Sequence, residues 1–313
     1  MSVTLPPKLS QLASKQYGLL KREQIIDEVS EMTLWRLVRD KVLEKVRHGV
    51  FRKAAKTQTE EQALLAACWW IGDEDETVVS HRSAARLHGL ELDKGDLEVT
   101  TLSRSIRGVK GVVVHRCREF EKDDTEELRG IPITTRPRTI IDLASQLDDE
   151  TLAILVEEAW RKRIAAPEWI ARRLATLRNG RELSALSEII SDCRKRDEPF
   201  ESALEVKFWR LVKKSGLPLP RCSYEFRDDF GQPGHVDFAY PEHDLAIECD
   251  GWEFHGTREA FENDRLRSAR LAAVGWRVMA ITWKQLTEEP QKVLERLKHA
   301  LKFRAQTYGP ATQ

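Results

Sequence analysis

The stretch HVDFAYPEHDLAIECDGWEFHGTREAFENDRLRSARLAAVGWRVMAITW, residues 235–283, carries the clearest structural pattern of this 313-residue chain. Apolar periodicities of two and of 3.6 residues alternate along it, as they do where strands and helices follow each other. With its flanks, it predicts a helix, three strands, a helix, a strand and a final helix, over 201–214, 221–227, 235–240, 245–250, 259–274, 276–282 and 290–303. This order predicts an α/β domain with a mixed central sheet.

Acidic side chains lie on two of these predicted strands. A period of two places Glu248 and Asp250 on one face of their strand, opposite Ile247 and Cys249. Asp237, between two apolar residues, is expected to meet Glu248 across paired strands. Because clustered carboxylates repel each other unless a cation lies between them, they indicate a site for a hard ion, Mg²⁺ or Mn²⁺. Such an ion suits metal-assisted phosphodiester hydrolysis.

These motifs resemble the PD-(D/E)XK nuclease superfamily, and more closely its branch related to the very short patch repair endonucleases. The resemblance covers about residues 201–301 and implies a restriction-endonuclease-like fold. It implies that Asp237 and Glu248 bind the metal. Asp250 stands where the broader superfamily has lysine, although the E-x-D-G form is common in this branch.

The same resemblance implies further site residues. His255 matches the histidine that follows the strand, a candidate general acid or base. Asp264 and Arg267 match the D-x-x-R helix positions, where the arginine can clamp a phosphate or pair with the aspartate. Glu205, within SALEVKFW, matches the acid of the first helix and is expected to support the metal.

The N-terminal 56 residues are basic, with 12 Lys+Arg against 6 Asp+Glu. Helical patterns over 8–16, 21–29 and 32–46, followed by a hairpin at His48-Gly49, predict a winged helix-turn-helix. Its basic residues are the candidate DNA contacts: Arg36, Arg39 and Lys41 on the third helix, and Arg47, Arg52 and Lys53 at the wing. A protein-docking role for the same helices is the alternative.

The stretch GLLKREQIIDEVSEMTLWRLVRDKVLEKVRHGVFRK resembles the N-terminal winged-helix domain of the AbiEi family of type IV antitoxins. In that family the domain binds operator DNA and represses its own operon. The phrases VVSHRSAARLHGL and IPITTRPRTIIDLA look like the segment that follows this domain in AbiEi-like proteins. The resemblance implies a cognate toxin as a partner.

The middle of the chain mixes strand patterns at 97–101 and 111–115 with helical patterns, which predicts an α+β domain. Ser80 is predicted to cap a helix. His81, Ser83 and His88 with Asp142 lack the context of a nucleophile elbow, so a hydrolase triad is disfavoured. Arg136 and Arg138 are expected to form ion pairs or to contact phosphate.

Composition indicates a multidomain, cytoplasmic protein. The 51 basic residues balance 51 acidic ones, and no apolar run approaches the roughly 18 residues of a membrane span. Five scattered cysteines without a CxxC pair argue against disulfides and structural zinc. Polar connectors predict a winged helix-turn-helix, an α+β middle domain, a nuclease-like domain and a tail, over 1–56, 57–195, 196–304 and 305–313.

Two functions of different class follow from these patterns. The favoured hypothesis is a DNA-binding, divalent-metal-dependent endonuclease of DNA repair or phage defence. The alternative is a non-enzymatic type IV antitoxin or transcriptional repressor whose nuclease-like domain is degenerate.

Overall fold

The computed structural model divides into an N-terminal unit, Met1–Asp197, and a C-terminal unit, Glu198–Gln313. None of the helices in the part of the chain that it describes has the length and apolar character needed to cross a membrane. For residues 181–182 and 258–264 it describes the backbone alone. The described residues are 4–54, 58–72, 76–103, 110–118, 120–121, 123–177, 181–250 and 258–302.

The first part of the N-terminal unit combines three helices with a small antiparallel sheet of strand order β1-β3-β2. Buried Leu34 and Leu37 of the third helix pack with Leu9, Ile25 and Phe51 in one apolar cluster. The elements are α1 Pro7–Lys15, β1 Leu19–Lys21, α2 Arg22–Ile26, α3 Glu31–Arg39, β2 Leu43–Arg47 and β3 Val50–Lys53.

The third helix is shorter than its periodicity predicts. It begins after Ser30, whose hydroxyl accepts a hydrogen bond from the Thr33 amide, and it ends at Arg39. Lys41 follows the helix in a left-handed turn, with φ 56°, so its predicted helical position was wrong. The helical pattern was extended too far because β2 pairs with β3 through the predicted turn at His48-Gly49, where Gly49 has φ 75°.

The rest of the N-terminal unit is a mixed sheet of strand order β6-β5-β4-β8-β7 with helices around it. The pairs β5–β6 and β4–β8 are parallel, and β4–β5 and β7–β8 are antiparallel. The elements are α4 Glu60–Ile71, β4 Thr77–Val79, α5 His81–Leu87, β5 Leu97–Thr101, β6 Val112–Arg116, β7 Thr125–Leu128, β8 Ile131–Thr134, α6 Arg136–Leu143, α7 Asp149–Arg161, α8 Pro167–Leu174 and α9 Arg181–Cys193.

Helix α4 lies in the core between the two sheets of this unit. Its buried Leu64 and Leu65 share one apolar cluster with Leu19 and Val50 of the small sheet and with Ile133 of the large one. Burial of such side chains stabilises the unit by about 1.5–3 kcal/mol each. The division proposed near residue 56 stays a prediction.

The C-terminal unit contains a four-stranded sheet of order β12-β11-β10-β9. The pairs β9–β10 and β10–β11 are antiparallel and the pair β11–β12 is parallel, so the predicted mixed sheet is confirmed. A short helix, α12, was not predicted. The elements are α10 Ala203–Ser215, β9 Arg221–Arg227, β10 Pro233–Tyr240, β11 Leu245–Asp250, α11 Arg258–Ala273, β12 Arg277–Thr282, α12 Trp283–Glu288 and α13 Pro290–Lys302.

Helix α10 and the central strand β10 meet through aromatic rings. Phe208 of α10 and Phe238 of β10, both fully buried, have ring centroids 5.0 Å apart, and Phe200 lies 5.5 Å from Phe238. The helix ends at Gly216, whose φ of 71° suits a residue without a side chain. This packing fixes the start of α10 beside the acidic strands.

Candidate functional site

The two central acids lie where the paired region of β10 and β11 ends. Phe238 is opposite Ile247, so the next residues along the antiparallel ladder are Asp237 and Glu248. The Asp237 carboxylate accepts a hydrogen bond of 2.7 Å from the backbone N–H of Cys249. The side chain of Asp237 is thereby held against the neighbouring strand.

The surroundings of Asp237 disfavour a negative charge. Burial raises the pKa of its carboxyl group, and the charges of Glu201 and Asp250 raise it further. The Cys249 amide and the Arg267 guanidinium act in the opposite direction without reversing the shift. A divalent cation at this position would remove that penalty, since it favours the ionised carboxylate.

Glu248 is the most buried acid of β11, with 7% of its surface exposed. Its Oε2 lies 3.5 Å from Nη2 of Arg267 on α11. The arginine side chain itself is 39% exposed, so the pair opens to solvent on the arginine side. Arg267 thus supplies positive charge beside the acids. In the broader superfamily a lysine supplies such charge, and this chain has Asp250 at the position of that lysine.

The structure describes the other predicted residues of this region to different extents. Asp250 is half-buried at the end of β11, where it is opposite Thr282 of β12. The backbone of Asp264 belongs to α11, three residues before Arg267, but its side chain lies outside the described residues. His255 also lies outside them.

Glu205 enters the site from the first turn of α10. The Ser202 hydroxyl donates to its Oε1 at 2.7 Å, and the Glu201 amide donates to its Oε2 at 3.2 Å. Burial raises the pKa of Glu205 to about 7, and the charge of Asp237 contributes while the Ser202 hydrogen bond opposes. Ser202 was not predicted as a supporting residue, although its S-x-x-E spacing signals a helix start.

The raised pKa of Glu205 predicts a pH dependence of stability. The folded state binds more protons than the unfolded state between the usual pKa of 4.5 and about 7. Stability from this group is therefore fully present below 4.5 and is lost as pH rises through about 7. The stability contributed is on the order of 3 kcal/mol. In urea unfolding of the metal-free protein, Glu205→Gln is expected to flatten the dependence between pH 5 and pH 8; an unchanged dependence contradicts the assignment.

A strained backbone residue lies beside Asp237. Ser223 of β9 falls between Tyr224 and Cys222, which pair with Val236 and Phe238 of β10. Its φ is 45°, in a region that non-glycine residues rarely occupy. Such strain is frequent at functional sites because it lets a strand bend to place a side chain. No sequence pattern signals it.

The basic residues of α3 form a second candidate site in the N-terminal unit. Arg36 and Arg39 are exposed on the helix, and Lys41 is exposed in the turn that follows. Arg39 donates to both carboxylate oxygens of Asp40, at 2.8 and 3.3 Å. A phosphate at Arg39 would therefore compete with Asp40.

The three wing residues are more enclosed. The Arg47 guanidinium lies 5.1 Å from the ring centroid of Trp70. Arg52 donates to Glu44 at 2.6 Å, and Lys53 donates to the Ser10 hydroxyl at 3.1 Å. Each of these interactions gives a wing residue a structural role within its own unit.

Helix α3 exposes two large apolar side chains that were not among the predicted site residues. Trp35 is 72% exposed and Met32 is 64% exposed, and both are near Arg36 along the helix. Exposed apolar surface next to basic residues suits contact with the apolar parts of a nucleic acid or with a protein. Helical periodicity alone could have placed both residues opposite Leu34 and Leu37.

Sequence comparison finds two relatives in Mycobacterium tuberculosis. The chain is 28% identical over 176 residues to two uncharacterized proteins of Mycobacterium tuberculosis, MT2308 and Rv2248. The match covers 56% of this chain and 64% of the length of each relative. The crystal structure of the RV2827C protein from the same species matches with a TM-score of 0.41 and 15% identity, over 63% of this chain and 80% of that one.

A family model matches part of the C-terminal unit. Residues 224–301 match REase_MTES_1575, a restriction-endonuclease-like family. The matched range begins within β9 and includes Asp237, Glu248 and Arg267. The match supports a nuclease-like domain in the C-terminal part of this chain.

Proposed function

We propose that this chain is a DNA-binding, divalent-metal-dependent endonuclease that hydrolyses phosphodiester bonds in DNA repair or phage defence in the cytoplasm. The observation that carries the proposal is the placement of Asp237 and Glu248 at the end of paired strands, within the range that matches a restriction-endonuclease-like family. The relation to the very short patch repair branch is part of the proposal.

The residues of this site fit Mg²⁺ or Mn²⁺. Asp237 and Glu248 offer oxygen atoms, the donors that hard divalent ions prefer. The surroundings of Asp237 penalise an uncompensated negative charge. In the proposed site these two acids hold the ion, and Asp250 and Glu205 support it. When bound, the ion supplies a Lewis acid for the scissile phosphate and for the attacking water.

The protein's own groups have separate proposed roles. The Cys249 amide fixes the Asp237 carboxylate, and Ser202 orients Glu205. Arg267 contacts the phosphate, a role for which its partly exposed guanidinium is suited. His255 is the proposed general acid or base, and Asp264 is proposed to support the site by pairing with Arg267.

A substrate panel tests the reaction class. The full-length protein is incubated in Mg²⁺ and in Mn²⁺ with supercoiled plasmid, duplex and single-stranded oligodeoxynucleotides, and RNA, and again after addition of EDTA. Nicked or shortened DNA that depends on the metal is expected. Cleavage of RNA alone would replace the proposed substrate, and cleavage that survives EDTA would exclude the proposed metal dependence.

One observation favours the non-enzymatic alternative. Arg267 already pairs with Glu248, so an arginine can balance part of the acidic charge without an ion. A type IV antitoxin or transcriptional repressor with a degenerate nuclease-like domain, possessing a cognate toxin, would show such neutralisation. DNA binding without any cleavage in Mg²⁺ or Mn²⁺ would favour this alternative.

The N-terminal segment is proposed to bind DNA as a winged helix-turn-helix. The order α1-β1-α2-α3-β2-β3, with an antiparallel sheet and exposed Arg36 and Arg39 on α3, supports this assignment. In the proposed complex α3 enters the major groove and Lys41, Arg47, Arg52 and Lys53 provide additional charge.

The double variant Arg36→Ala, Arg39→Ala is expected to weaken DNA binding and to reduce its salt dependence. Each lost phosphate contact lowers the slope of log K against log salt by about 0.9, so a decrease of about 2 is expected if both arginines contact phosphate. Fluorescence anisotropy over a range of salt concentrations measures the slope. A control variant that replaces exposed Arg163 and Arg172 with alanine should show the wild-type slope. If the α3 variant also shows the wild-type slope, the result favours protein docking.

A further inference from the structure

Two histidines and a glutamate meet in the N-terminal unit, far from the acids of the nuclease-like domain in sequence. His81 begins α5, Glu98 lies on β5 and His115 lies on the parallel neighbour β6. One ligand atom from each lies within 4.8 Å of the other two. His81 and Glu98 are buried, and His115 is partly exposed.

The backbone around His81 holds the ring toward Glu98. The Ser80 amide donates to the Glu98 carbonyl at 3.1 Å, which ties the start of α5 to β5. His81 has φ 49°, an unusual value for the first residue of a helix. Ser80 occupies the predicted N-cap position of α5, but its hydroxyl makes no capping hydrogen bond. The hydroxyl instead lies 2.9 Å from His81 Nδ1 and accepts a hydrogen bond from Thr100.

The contact between the Ser80 hydroxyl and His81 Nδ1 gives His81 the support that metal-binding histidines usually have. A ligating imidazole commonly uses its second nitrogen for a hydrogen bond that fixes the ring and its tautomer. With Nδ1 directed at Ser80, Nε2 is the nitrogen left for an ion. The Glu98 backbone is fixed too, since its N–H donates to the Ser83 hydroxyl at 2.9 Å.

The other two groups already share a polar contact. His115 Nε2 lies 2.7 Å from Glu98 Oε2, and the Gln146 amide nitrogen donates to the same oxygen at 2.9 Å. The rings of His81 and His115 stack with centroids 3.6 Å apart and an interplanar angle of 20°. Two imidazoles and a carboxylate are thus packed together, with His115 on the side that reaches solvent.

We propose that His81, Glu98 and His115 bind a divalent transition-metal ion, with Zn²⁺ as the best match to two nitrogen donors and one oxygen donor. Zn²⁺ holds such ligands at about 2.0–2.2 Å, and sites with three protein ligands keep a fourth position for water or substrate. Mg²⁺ fits this donor set poorly because it prefers oxygen ligands. Binding replaces the contact between His115 and Glu98 and turns the two rings from a stack toward the ion.

Zinc affinity of the full-length protein tests the site. The protein is treated with a chelator, dialysed and titrated with Zn²⁺ in competition with a chromophoric chelator. Wild type is expected to bind Zn²⁺ at this site, and His115→Gln is expected to lower the affinity by at least about 100-fold. His48→Gln, which removes an exposed histidine of the wing, should leave this affinity unchanged.

A spectroscopic measurement identifies the ligands. Co²⁺ in place of Zn²⁺ should give visible absorption bands of a low-coordinate site in wild type, and these bands should be lost in His115→Gln and in His81→Asn. Asparagine tolerates the backbone conformation of His81, so it provides a second variant if the first unfolds. Equal Zn²⁺ affinity in wild type and both histidine variants, or no binding by wild type, would overturn the proposal and leave a hydrogen-bonded core.

Discussion

The variant Asp237→Asn is expected to cleave DNA in Mg²⁺ about 1,000-fold more slowly than wild type, equivalent to roughly 4 kcal/mol of transition-state stabilisation. Asparagine retains an oxygen that can accept the 2.7 Å hydrogen bond from Cys249, so the strand pairing is preserved. The variant loses the negative charge that the proposed ion needs. Because burial already raises the pKa of Asp237, the metal is the partner expected to keep it ionised.

Initial rates of plasmid nicking over a range of Mg²⁺ concentrations measure this effect. Asp229→Asn is the matched control, since it removes the same charge from an exposed turn of the same unit. It should keep the wild-type rate. If Asp237→Asn retained that rate with an unchanged metal requirement, Asp237 would have no part in holding the ion.

The variant Asp124→Ala is expected to lower the free energy of unfolding of the N-terminal unit by about 3–5 kcal/mol. Asp124 is 1% exposed, and two arginines from different helices converge on it. Arg138 donates to its carboxylate at 2.7 Å, and Arg173 donates through two nitrogens at 2.7 and 3.0 Å. Removing the acid leaves two guanidinium groups in a buried site with less negative charge to balance them.

Chemical denaturation followed by tryptophan fluorescence measures the loss. Glu91→Ala is the control, because Glu91 pairs with Lys162 but is 85% exposed, and exposed pairs contribute about 0–1 kcal/mol. A loss for Asp124→Ala no larger than that of the control would show that the arginines are stabilised without Asp124. Arg138 was expected to form ion pairs or to contact phosphate. In the structure it forms ion pairs, because it donates to Asp142 at 2.7 Å as well as to Asp124.

Hydrophobic periodicity predicted the bounds of an element correctly where the element is amphipathic and nearby residues mark its ends. It placed β9, β11 and α10 within a few residues, because Ser202 and Gly216 mark the ends of the helix. It failed at 40–46, where a helical pattern competes with hairpin pairing that depends on β3. It also missed α12, although Thr282 and Gln285 form a capping box at its start.

The candidate site was predictable only in part. Strand alternation placed Asp237 and Glu248 at neighbouring register positions of β10 and β11, because facing residues of paired strands are set by local pattern. The pairing of Glu248 with Arg267 depends on how α11 packs on the sheet, which no local signal encodes. The cluster of His81, Glu98 and His115 was missed for the same reason, since its members come from three elements spread over 35 residues.

The most direct test of the central claim is plasmid cleavage by Glu248→Gln beside wild type, with DNA binding measured on the same samples. Asp237 and Glu248 are proposed to hold one divalent ion against a phosphodiester bond. Wild type should convert supercoiled plasmid to nicked or linear DNA in Mg²⁺, and the variant should bind the plasmid without converting it. Conversion at the wild-type rate by the variant, or binding without conversion by wild type in both Mg²⁺ and Mn²⁺, would contradict the claim.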